Sequence, residues 1–514
     1  MRLDQLLGSV QGDLDLVGLA GDPATADVTG VTSSSTAVVP GALFCCLSGA
    51  TADGHDFAGA AVVSGATALL CERPMPEPVP QVVVADSRRA TALVAAAFHG
   101  HPSRRLAVVG VTGTNGKTTT THLLRSVLAA DGRRADVIGT LSGARTTPEA
   151  TELQARLAAL AAGGTEAVAM EVSSHALAQS RVDGVWFTVA VFTNLSQDHL
   201  DYHGTMEEYF RAKASLFAPE RAAVAVVNAD DEWGRRLLGA ARVPTRPFSL
   251  ADAADLTLGP DGATFRWDGA PVRLPLAGRF QVVNALAAAT AARELGVPAA
   301  RVADGLSTAG PVRGRFEPLD AGQPFRVVVD YAHTPAAMEE VLTAARQAAA
   351  NGRVLLVFGC GGERDRAKRP VMGEVASRLA DVAVVTSDNP RSEDPSAIID
   401  EVRAGVGRVK ALWVEPDRRA AIALVVADAE PGDVVVIAGK GHETTQALST
   451  GPVPFDDRVV VQEELDRLSK VAKVNSDSTG GRGPAGEQAD GTGRGGGPVS
   501  GRRRGRGPAG EQAW

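Results

Sequence analysis

Short apolar runs recur along the chain and alternate with longer segments whose apolar residues are spaced as on one face of a helix. Such runs, rich in β-branched residues and followed by polar or glycine positions, are typical of buried strands. They predict strands at residues 106–111, 167–172, 188–193 and 223–228, and again at 326–329, 354–358, 382–386 and 434–438. The regular alternation of strand and helix predicts an α/β protein with parallel, doubly wound sheets.

The chain is too long for one hydrophobic core, and its predicted elements fall into three blocks. We expect a smaller N-terminal α/β domain over residues 1–104, with strands at 66–71 and 81–85 and helices at 58–65 and 88–99. A central parallel-sheet domain of the P-loop type follows over 105–310, and a Rossmann-like α/β domain over 311–470. From residue 471 to 514 apolar residues give way to Gly, Arg, Pro and Ser, which predicts a disordered tail.

Charge and composition indicate the cellular compartment and the classes of partner, but not the reaction. The formal net charge is −8, so no global field favours nucleic acid. No apolar run is long enough to cross a bilayer, and acidic residues come too early at the N-terminus for a signal peptide. The four cysteines have neither paired metal spacing nor a disulfide framework. We therefore expect a cytoplasmic protein that binds neither nucleic acid nor membrane. We also expect it to act on small molecules as a monomer.

The strand at 106–111 leads into a glycine-rich turn and then a helix, as in a phosphate-binding loop. The turn approximates the pattern G-x-x-x-x-G-K-[ST], although its first glycine is not at the usual spacing. Gly113 and Gly116 free the backbone to point N–H groups at phosphate oxygens, Lys117 adds a charge, and Thr118 can reach Mg²⁺. The alternative is a glycine-rich turn without a ligand. The predicted ATP-phosphate contacts are Gly113, Thr114, Asn115, Gly116, Lys117, Thr118 and Thr119.

Polar strings follow most of the other predicted strands at their carboxyl ends. In the central block these strings are residues 171–175, 194–199 and 228–231, and in the third block they are 330–335, 359–365, 387–391 and 439–443. Ligands of open α/β sheets bind at the carboxyl ends of the strands. Two such edges that face each other predict substrates bound in a cleft.

Together with the phosphate loop, these strings resemble those of the Mur ligase family, in the same order, from about residue 30 to 465. Asp388-Asn-Pro-Arg391 is similar to the string of the diaminopimelate-adding branch. The resemblance implies an ATP-dependent amide ligase of peptidoglycan precursor synthesis. Such an enzyme adds meso-diaminopimelate to UDP-N-acetylmuramoyl-L-alanyl-D-glutamate through an acyl phosphate.

The resemblance also implies the reacting groups. Thr118 and Glu171 would bind a first Mg²⁺, and His199 would bind a second together with Lys213 in its carbamylated form. Lys117, Lys213, His199 and Glu171 would form the catalytic set. From the residues alone, Glu171 could instead pair with a lysine, and Lys213 with a carboxylate. The remaining implied ATP contacts are Asn284, Arg315 and Asp330.

Two further sets of residues would hold the other substrates. The UDP-dipeptide set is Ser35, Thr146, Thr147, Ser174 and Arg181, and the diaminopimelate set is Arg364, Asp388, Asn389, Pro390, Arg391, Gly439 and Glu443. Ser35 stands in Ser34-Ser35-Thr36, where the family has Asp-Ser-Arg. Arg181 could alternatively be a surface charge at a helix end. Arg391 can grip a carboxylate bidentately, while Asp388 and Asn389 can accept from an ammonium group.

Three other functions remain open at this stage. A sister ligase that adds lysine would share most of these strings. Folylpolyglutamate synthase shares the phosphate loop but does not account for Asp388-Asn-Pro-Arg391 or the first domain. A catalytically silent nucleotide-binding regulator would fit the altered string at residues 34–36.

Overall fold

The structure, a computed structural model, describes residues 1–10, 12–49, 52–407 and 411–479, with the backbone alone for 471–479. Residues 1–467 form one compact unit. The second unit, residues 468–514, is described only to residue 479, where its backbone is helical. The predicted disorder of the tail beyond 479 lies outside the described residues.

The first sheet has five strands in the order β1-β5-β4-β3-β2. All neighbours are parallel except β1, which runs antiparallel to β5 at the edge. Its elements are α1 (Leu3–Gly8), β1 (Leu16–Ala20), β2 (Gly30–Thr32), β3 (Ala42–Cys45), α2 (Ala58–Val63), β4 (Ala66–Cys71), β5 (Gln81–Val84) and α3 (Ser87–Phe98).

The second sheet is fully parallel, with six strands in the order β11-β10-β9-β6-β8-β7. Its strands are β6 (Ala107–Thr112), β7 (Ala135–Ile138), β8 (Ala167–Glu171), β9 (Phe187–Phe192), β10 (Ala222–Asn228) and β11 (Thr245–Phe248). Its helices are α4 (Lys117–Ala130), α5 (Ala150–Ala162), α6 (Ser174–Ala178), α7 (Leu200–His203), α8 (Met206–Ala214), α9 (Glu232–Ala240), α10 (Arg279–Glu294) and α11 (Ala299–Ser307).

Alternate residues of β6 serve opposite faces of this sheet. Val109 packs in one core cluster with Leu123 and Val127 of α4, whereas Val108 packs in the other with Phe187. A strand buried on both faces reads as a continuous apolar run, which is why the sequence predicts it well. Because β6 lies between β8 and β9, the loop after it opens at the middle of the sheet edge.

The third sheet has the order β15-β16-β20-β17-β18-β19, with β15 antiparallel at its edge. Its strands are β15 (Glu317–Leu319), β16 (Arg326–Asp330), β17 (Val354–Phe358), β18 (Val382–Val385), β19 (Ala411–Val414) and β20 (Val434–Ala438). Its helices are α12 (Pro335–Ala349), α13 (Lys368–Leu379), α14 (Pro395–Arg403), α15 (Arg418–Asp428) and α16 (Asp457–Thr479).

All eight predicted strands of the two large sheets are confirmed to within one residue at either end. Two small antiparallel sheets interrupt the expected alternation: β12 (Ala254–Gly259), β13 (Gly262–Trp267) and β14 (Ala270–Leu274), and the hairpin β21 (Thr445–Leu448) and β22 (Gly451–Pro454). Their strands are partly exposed, so they carry few consecutive apolar residues. α16 continues past residue 471, where the tail was expected to begin.

The domain boundaries at 104, 310 and 470 stay predictions. Among the described residues, no helix is both long and apolar enough to cross a membrane.

Candidate active site

The phosphate loop, residues 113–118, joins β6 to α4. Gly113 has a φ of 151° and Gly116 a φ of 88°, a region of backbone space that favours glycine. A Cβ at Gly113 would lie 1.9 Å from Thr193 Oγ1, and one at Gly116 would lie 2.3 Å from Asn284 Oδ1. The loop is thus pressed against the end of β9 and against α10, so both positions require glycine.

Part of the loop backbone is already committed. The amide of Thr114 donates to Asn194 O at 2.9 Å, and that of Asn115 donates to Asn194 Oδ1 at 3.0 Å. The next four amides, from Gly116 to Thr119, open α4 and have no acceptor within the helix. These amides, at the positive end of the helix dipole, are the ones free to meet a phosphate.

Two lysines meet at the same backbone carbonyl. Lys117 Nζ donates to Gly113 O and Thr114 O, both at 2.9 Å, and Lys213 Nζ donates to Gly113 O at 2.8 Å. Lys213 is fully buried above the ring of Tyr209. Burial and then the neighbouring Lys117 hold the pKa of Lys213 well below its usual value. Lys213 makes no ion pair with a described carboxylate, so the salt-bridge alternative is not what the structure has.

Glu171 ends β8 and lies buried beside the loop. Its carboxylate accepts hydrogen bonds from Thr118 Oγ1 at 3.0 Å and from Thr140 N at 2.8 Å. Arg315, which precedes the third sheet, brings Nη2 to 3.0 Å from Thr118 Oγ1. Among the described residues Glu171 pairs with no lysine, contrary to the alternative interpretation.

The donors around Thr118 suit Mg²⁺. A hydroxyl and a carboxylate, 3.0 Å apart, supply oxygen ligands of the kind that this ion prefers. Over the ranges described, no group of three or more His, Cys, Asp or Glu side chains could hold a metal ion alone. A magnesium ion here would therefore take its other ligands from phosphate oxygens and water, as Mg²⁺ usually does.

Asp198 and His199 lie where the central and third sheets meet. Asp198 is 3.5 Å from His333 Nε2 and 3.5 Å from Lys368 Nζ, and His199 Nε2 is 3.4 Å from Asp198 Oδ2. Burial lowers the pKa of His199 to about 3, although the carboxylate of Asp198 acts in the opposite direction. His199 is thus a neutral imidazole at neutral pH, the form that can ligate a metal.

Four of the five predicted UDP-dipeptide residues lie close to Glu171. Thr147 Oγ1 donates to Glu171 O at 2.8 Å, and Arg181 Nη1 donates to Thr147 O at 3.2 Å. Thr146 contacts Thr140 at 3.0 Å, and Ser174 contacts His203 Nε2 at 2.9 Å. Arg181 is 8% exposed, which contradicts the surface-charge alternative.

Ser35 is separate from this group. It lies in a short 3₁₀ helix, Ser35–Ala37, in the first sheet domain. Its neighbours Ser34 and Thr36 bond to each other at 2.9 Å in place of the charged flanks of the family string. Among described residues the structure gives no direct bond from Ser35 to the phosphate-loop group, so its role stays a prediction.

The predicted adenine and ribose contacts lie around the phosphate loop. Asn284 lies against Gly116, as described above, and Arg315 stacks over Tyr331 with its guanidinium carbon 4.5 Å from the ring centre. Asp330 accepts from the amides of Phe316 at 2.6 Å and Ala332 at 2.7 Å. Asp330 thereby fixes the segment that carries Arg315.

The predicted diaminopimelate residues come from three segments at the carboxyl edge of the third sheet. We name residues 359–367 loop A and residues 386–394 loop B. Arg364 belongs to loop A and Arg391 to loop B, and both side chains border Gly361. A Cβ there would lie 3.1 Å from Arg391 Nη1 and 3.8 Å from Arg364 Cγ. Burial and then the positive charge of Arg364 lower the pKa of Arg391, as expected for two neighbouring cations.

The third segment carries Lys440, which sequence reasoning passed over. This side chain is fully buried, and its Nζ donates to Asn389 Oδ1 at 3.1 Å, to Glu443 Oε2 at 3.0 Å and to Thr445 O at 2.7 Å. Ala447 N also donates to Asn389 Oδ1, at 2.9 Å. An ammonium and an amide can only donate, so the atom between them must be the Asn389 oxygen.

This arrangement corrects the predicted chemistry of Asn389. Its oxygen is already used by Lys440 and Ala447, and its Nδ2 donates to Glu443 Oε2 at 2.7 Å. Asn389 therefore offers a substrate an N–H donor, which suits a carboxylate, and not an acceptor for an ammonium. Glu443 remains as the acceptor in this pocket, and Lys440 holds its pKa below the usual value despite burial.

Asp388 points inward. Its Oδ2 is buried with no hydrogen-bond partner in the described chain, and a Cβ at Gly439 would lie 2.5 Å from it. The backbone O of Asp388 accepts from Gln446 of the hairpin at 2.7 Å, and the backbone O of Pro390 accepts from Glu393 at 3.1 Å. These contacts shape loop B, and ammonium binding by Asp388 stays a prediction.

The fold and this site define a Mur ligase, and the chain belongs to that family. It matches the Mur ligase family catalytic domain over residues 27–111, the Mur ligase middle domain over 111–292, and the Mur ligase glutamate ligase domain over 314–441.

Two curated relatives and one solved structure share one name. The UDP-N-acetylmuramoyl-L-alanyl-D-glutamate–2,6-diaminopimelate ligase of Geobacillus thermodenitrificans is 45% identical, over 90% of this chain and 99% of its own. The enzyme of that name from Streptomyces avermitilis is 46% identical, over 88% of this chain and 95% of its own. A solved structure of such a ligase, 32% identical, covers 91% of this chain and 99% of its own with a TM-score of 0.64.

Proposed function

We propose that this protein joins meso-diaminopimelate to UDP-N-acetylmuramoyl-L-alanyl-D-glutamate, with conversion of ATP to ADP and phosphate. The observation that carries the proposal is the near-complete coverage of ligases that bear this name, at 45–46% identity. The product is a peptidoglycan precursor, and the reaction takes place in the cytoplasm. The enzyme acts as a monomer on small molecules, with no nucleic acid or membrane as partner.

The first half of the reaction makes an acyl phosphate. Lys117 and the amides that open α4 bind the β- and γ-phosphates, which places the γ-phosphorus at the cleft. A glutamyl carboxylate oxygen, positioned near Arg181, attacks that phosphorus, and the bond to the β-phosphate oxygen breaks to leave ADP. Thr118 and Glu171 would hold a Mg²⁺ ion, which would supply positive charge to stabilise the transferred phosphoryl group.

The second half forms the amide. One amine of diaminopimelate, as the free base, attacks the acyl carbon, and the tetrahedral intermediate collapses with release of phosphate. Arg391 and Asn389 hold a carboxylate at the far end of the amino acid, and Glu443 accepts from an ammonium. Lysine lacks that carboxylate, so it would leave the guanidinium of Arg391 without a substrate anion to bind.

Lys213 takes part as a carbamate. Burial lowers the pKa of its amine and so favours the neutral form, whose nitrogen can attack CO₂, form an N–C bond and release a proton to water. The resulting anion and neutral His199 would hold a second Mg²⁺. Lys213→Ala should abolish activity, and formate or acetate should partly restore it. A carbamate carbon signal after loading with ¹³C-bicarbonate should appear in the wild type alone, and full activity of the variant would contradict this role.

The deciding experiment measures phosphate release by the purified protein with ATP and the UDP-dipeptide. Release should require diaminopimelate and be far slower with lysine. Equal rates with both amino acids would point to the lysine-adding sister ligase. Nucleotide binding without phosphate release for either amino acid would point to the silent regulator.

A further inference from the structure

The guanidinium of Arg369, near the start of α13, is completely buried, yet it touches no predicted substrate contact directly. Its Nη1 donates to Glu393 Oε2 at 2.9 Å and to Glu401 Oε2 at 2.8 Å. Its Nη2 donates to Glu393 Oε1 at 2.9 Å and to the backbone O of Gly361 at 3.2 Å. Burial of an arginine is costly unless its donors are satisfied, so this placement calls for a reason.

The partners of Arg369 belong to both substrate loops. Gly361 is in loop A and Glu393 is in loop B, while Glu401 belongs to the following helix α14. The carboxylate of Glu393 also accepts from the amide of Glu363, one residue before Arg364. The guanidinium therefore holds loop A directly at residue 361 and, through Glu393 of loop B, at residue 363.

The two loops need such a tie because their backbones are strained. Glu363 has a φ of 52° and Arg391 a φ of 55°, values that are uncommon for residues other than glycine. Strain of this kind persists only where the surroundings hold it. Further bonds, from Arg391 Nη1 to Gly362 O at 2.6 Å and from Gly362 N to Asn389 O at 2.9 Å, close the loops on each other.

We propose that Arg369 is a positioning residue that sets the spacing of Arg364 and Arg391, and thereby the preference for an amino acid with a second carboxylate. The two arginines flank Gly361, whose carbonyl Arg369 holds. A lysine at position 369 keeps the charge but cannot serve Gly361, Glu393 and Glu401 with one planar fork. Loops A and B would then separate, and the bidentate grip on a carboxylate would loosen. This inference rests on the proposed function.

The chain offers a matched control at the other end of β17. Arg353, just before that strand, clamps Asp433 at 2.7 Å and Asp428 at 3.0 Å, so it is also a multiply bonded arginine. Loop A follows the carboxyl end of β17, whereas Arg353 precedes the amino end. Arg353→Lys should therefore cost stability without moving the substrate loops.

The experiment compares wild type, Arg369→Lys and Arg353→Lys by thermal denaturation and by steady-state kinetics with each substrate varied in turn. Both variants should melt at a lower temperature. Arg369→Lys should raise KM for diaminopimelate about tenfold, as for loss of one charged hydrogen bond, with KM for ATP within about twofold of wild type. Its ratio of diaminopimelate to lysine use should fall, while that of Arg353→Lys should not.

Two outcomes overturn the inference. The first is an Arg369→Lys enzyme whose KM values and selectivity match those of Arg353→Lys. If Arg369→Lys does not fold, Glu393→Gln takes its place, because it keeps the side-chain shape and removes the charge facing Arg369. The second outcome is then a Glu393→Gln enzyme whose selectivity for diaminopimelate over lysine is unchanged. Wild-type enzyme that uses diaminopimelate no better than lysine would instead refute the proposed function.

Discussion

Gly116→Ala tests whether the phosphate loop is built as described. Two costs follow from the structure. An alanine at a φ of 88° pays about 1–2 kcal/mol for left-handed backbone. Its Cβ would also lie 2.3 Å from Asn284 Oδ1, where real contacts are not below 3.0 Å, so loop or side chain must move by at least 0.7 Å.

That displacement acts on the amides that meet the phosphate. A misplacement of about 1 Å can cost about 10²-fold in a positioned reaction, so we expect kcat/KM for ATP to fall by one to two orders of magnitude. Gly132→Ala is the control. Gly132 has a φ of 82° at the other end of α4, but a Cβ there would meet nothing within 4 Å.

The assay pairs thermal denaturation with titration calorimetry of ADP. Both variants should lose comparable stability from the backbone cost, and only Gly116→Ala should lose nucleotide affinity. If Gly116→Ala binds ADP as tightly as Gly132→Ala, the close approach of Asn284 does not control the loop and the reasoning fails.

Three further predictions follow from single side chains. Lys440→Met should remove the donor that fixes the orientation of the Asn389 amide, and so raise KM for diaminopimelate with KM for ATP unchanged. Equal increases in both constants would contradict this role. Arg391→Ala should abolish diaminopimelate addition while ADP still binds in calorimetry, and loss of both would refute its assignment. Burial lowers the pKa of His122 to about 4, so its contribution to stability is present above pH 6.5 and lost as pH falls towards 4. His122→Gln should therefore remove about 2 kcal/mol of the decrease in the free energy of unfolding, measured with urea, between pH 7 and pH 4.5. An unchanged decrease would show that His122 is not the cause.

Much of the central sheet could be predicted because its signals are local. Strands buried on both faces give unbroken apolar runs, and the pattern of the phosphate loop is recognisable within six residues. The close approaches of Thr193 and Asn284 that require its glycines are visible only in the fold. The antiparallel sheet β12–β14 was missed because exposed strands carry no such run. The same argument applies to the hairpin β21–β22, whose contacts with loop B join residues far apart in sequence.

The structure brings most of the predicted site residues together, and it adds supporting residues that the sequence did not indicate. Arg391 and Asn389 stand out in a short string, but the direction of the Asn389 amide depends on Lys440 and Ala447, more than fifty residues later. Arg369 reads as one more basic residue in a charged segment, since burial of its guanidinium is a product of tertiary packing. No local sequence pattern indicates the supporting role of Lys440 or of Arg369.

Position 213 has a lysine and position 391 an arginine, and the two side chains respond differently to burial beside another basic residue. Near Gly113, Lys213 can give up its proton, which leaves the neutral amine that carbamylation requires. Near Gly361, Arg391 stays charged although burial and Arg364 lower its pKa, because a guanidinium does not deprotonate in proteins. Only an anion can then relieve the conflict there. Under the proposed function, arginine at position 213 would lack the amine that carbamylation needs. Lysine at position 391 would lack the planar guanidinium that can bind a carboxylate bidentately.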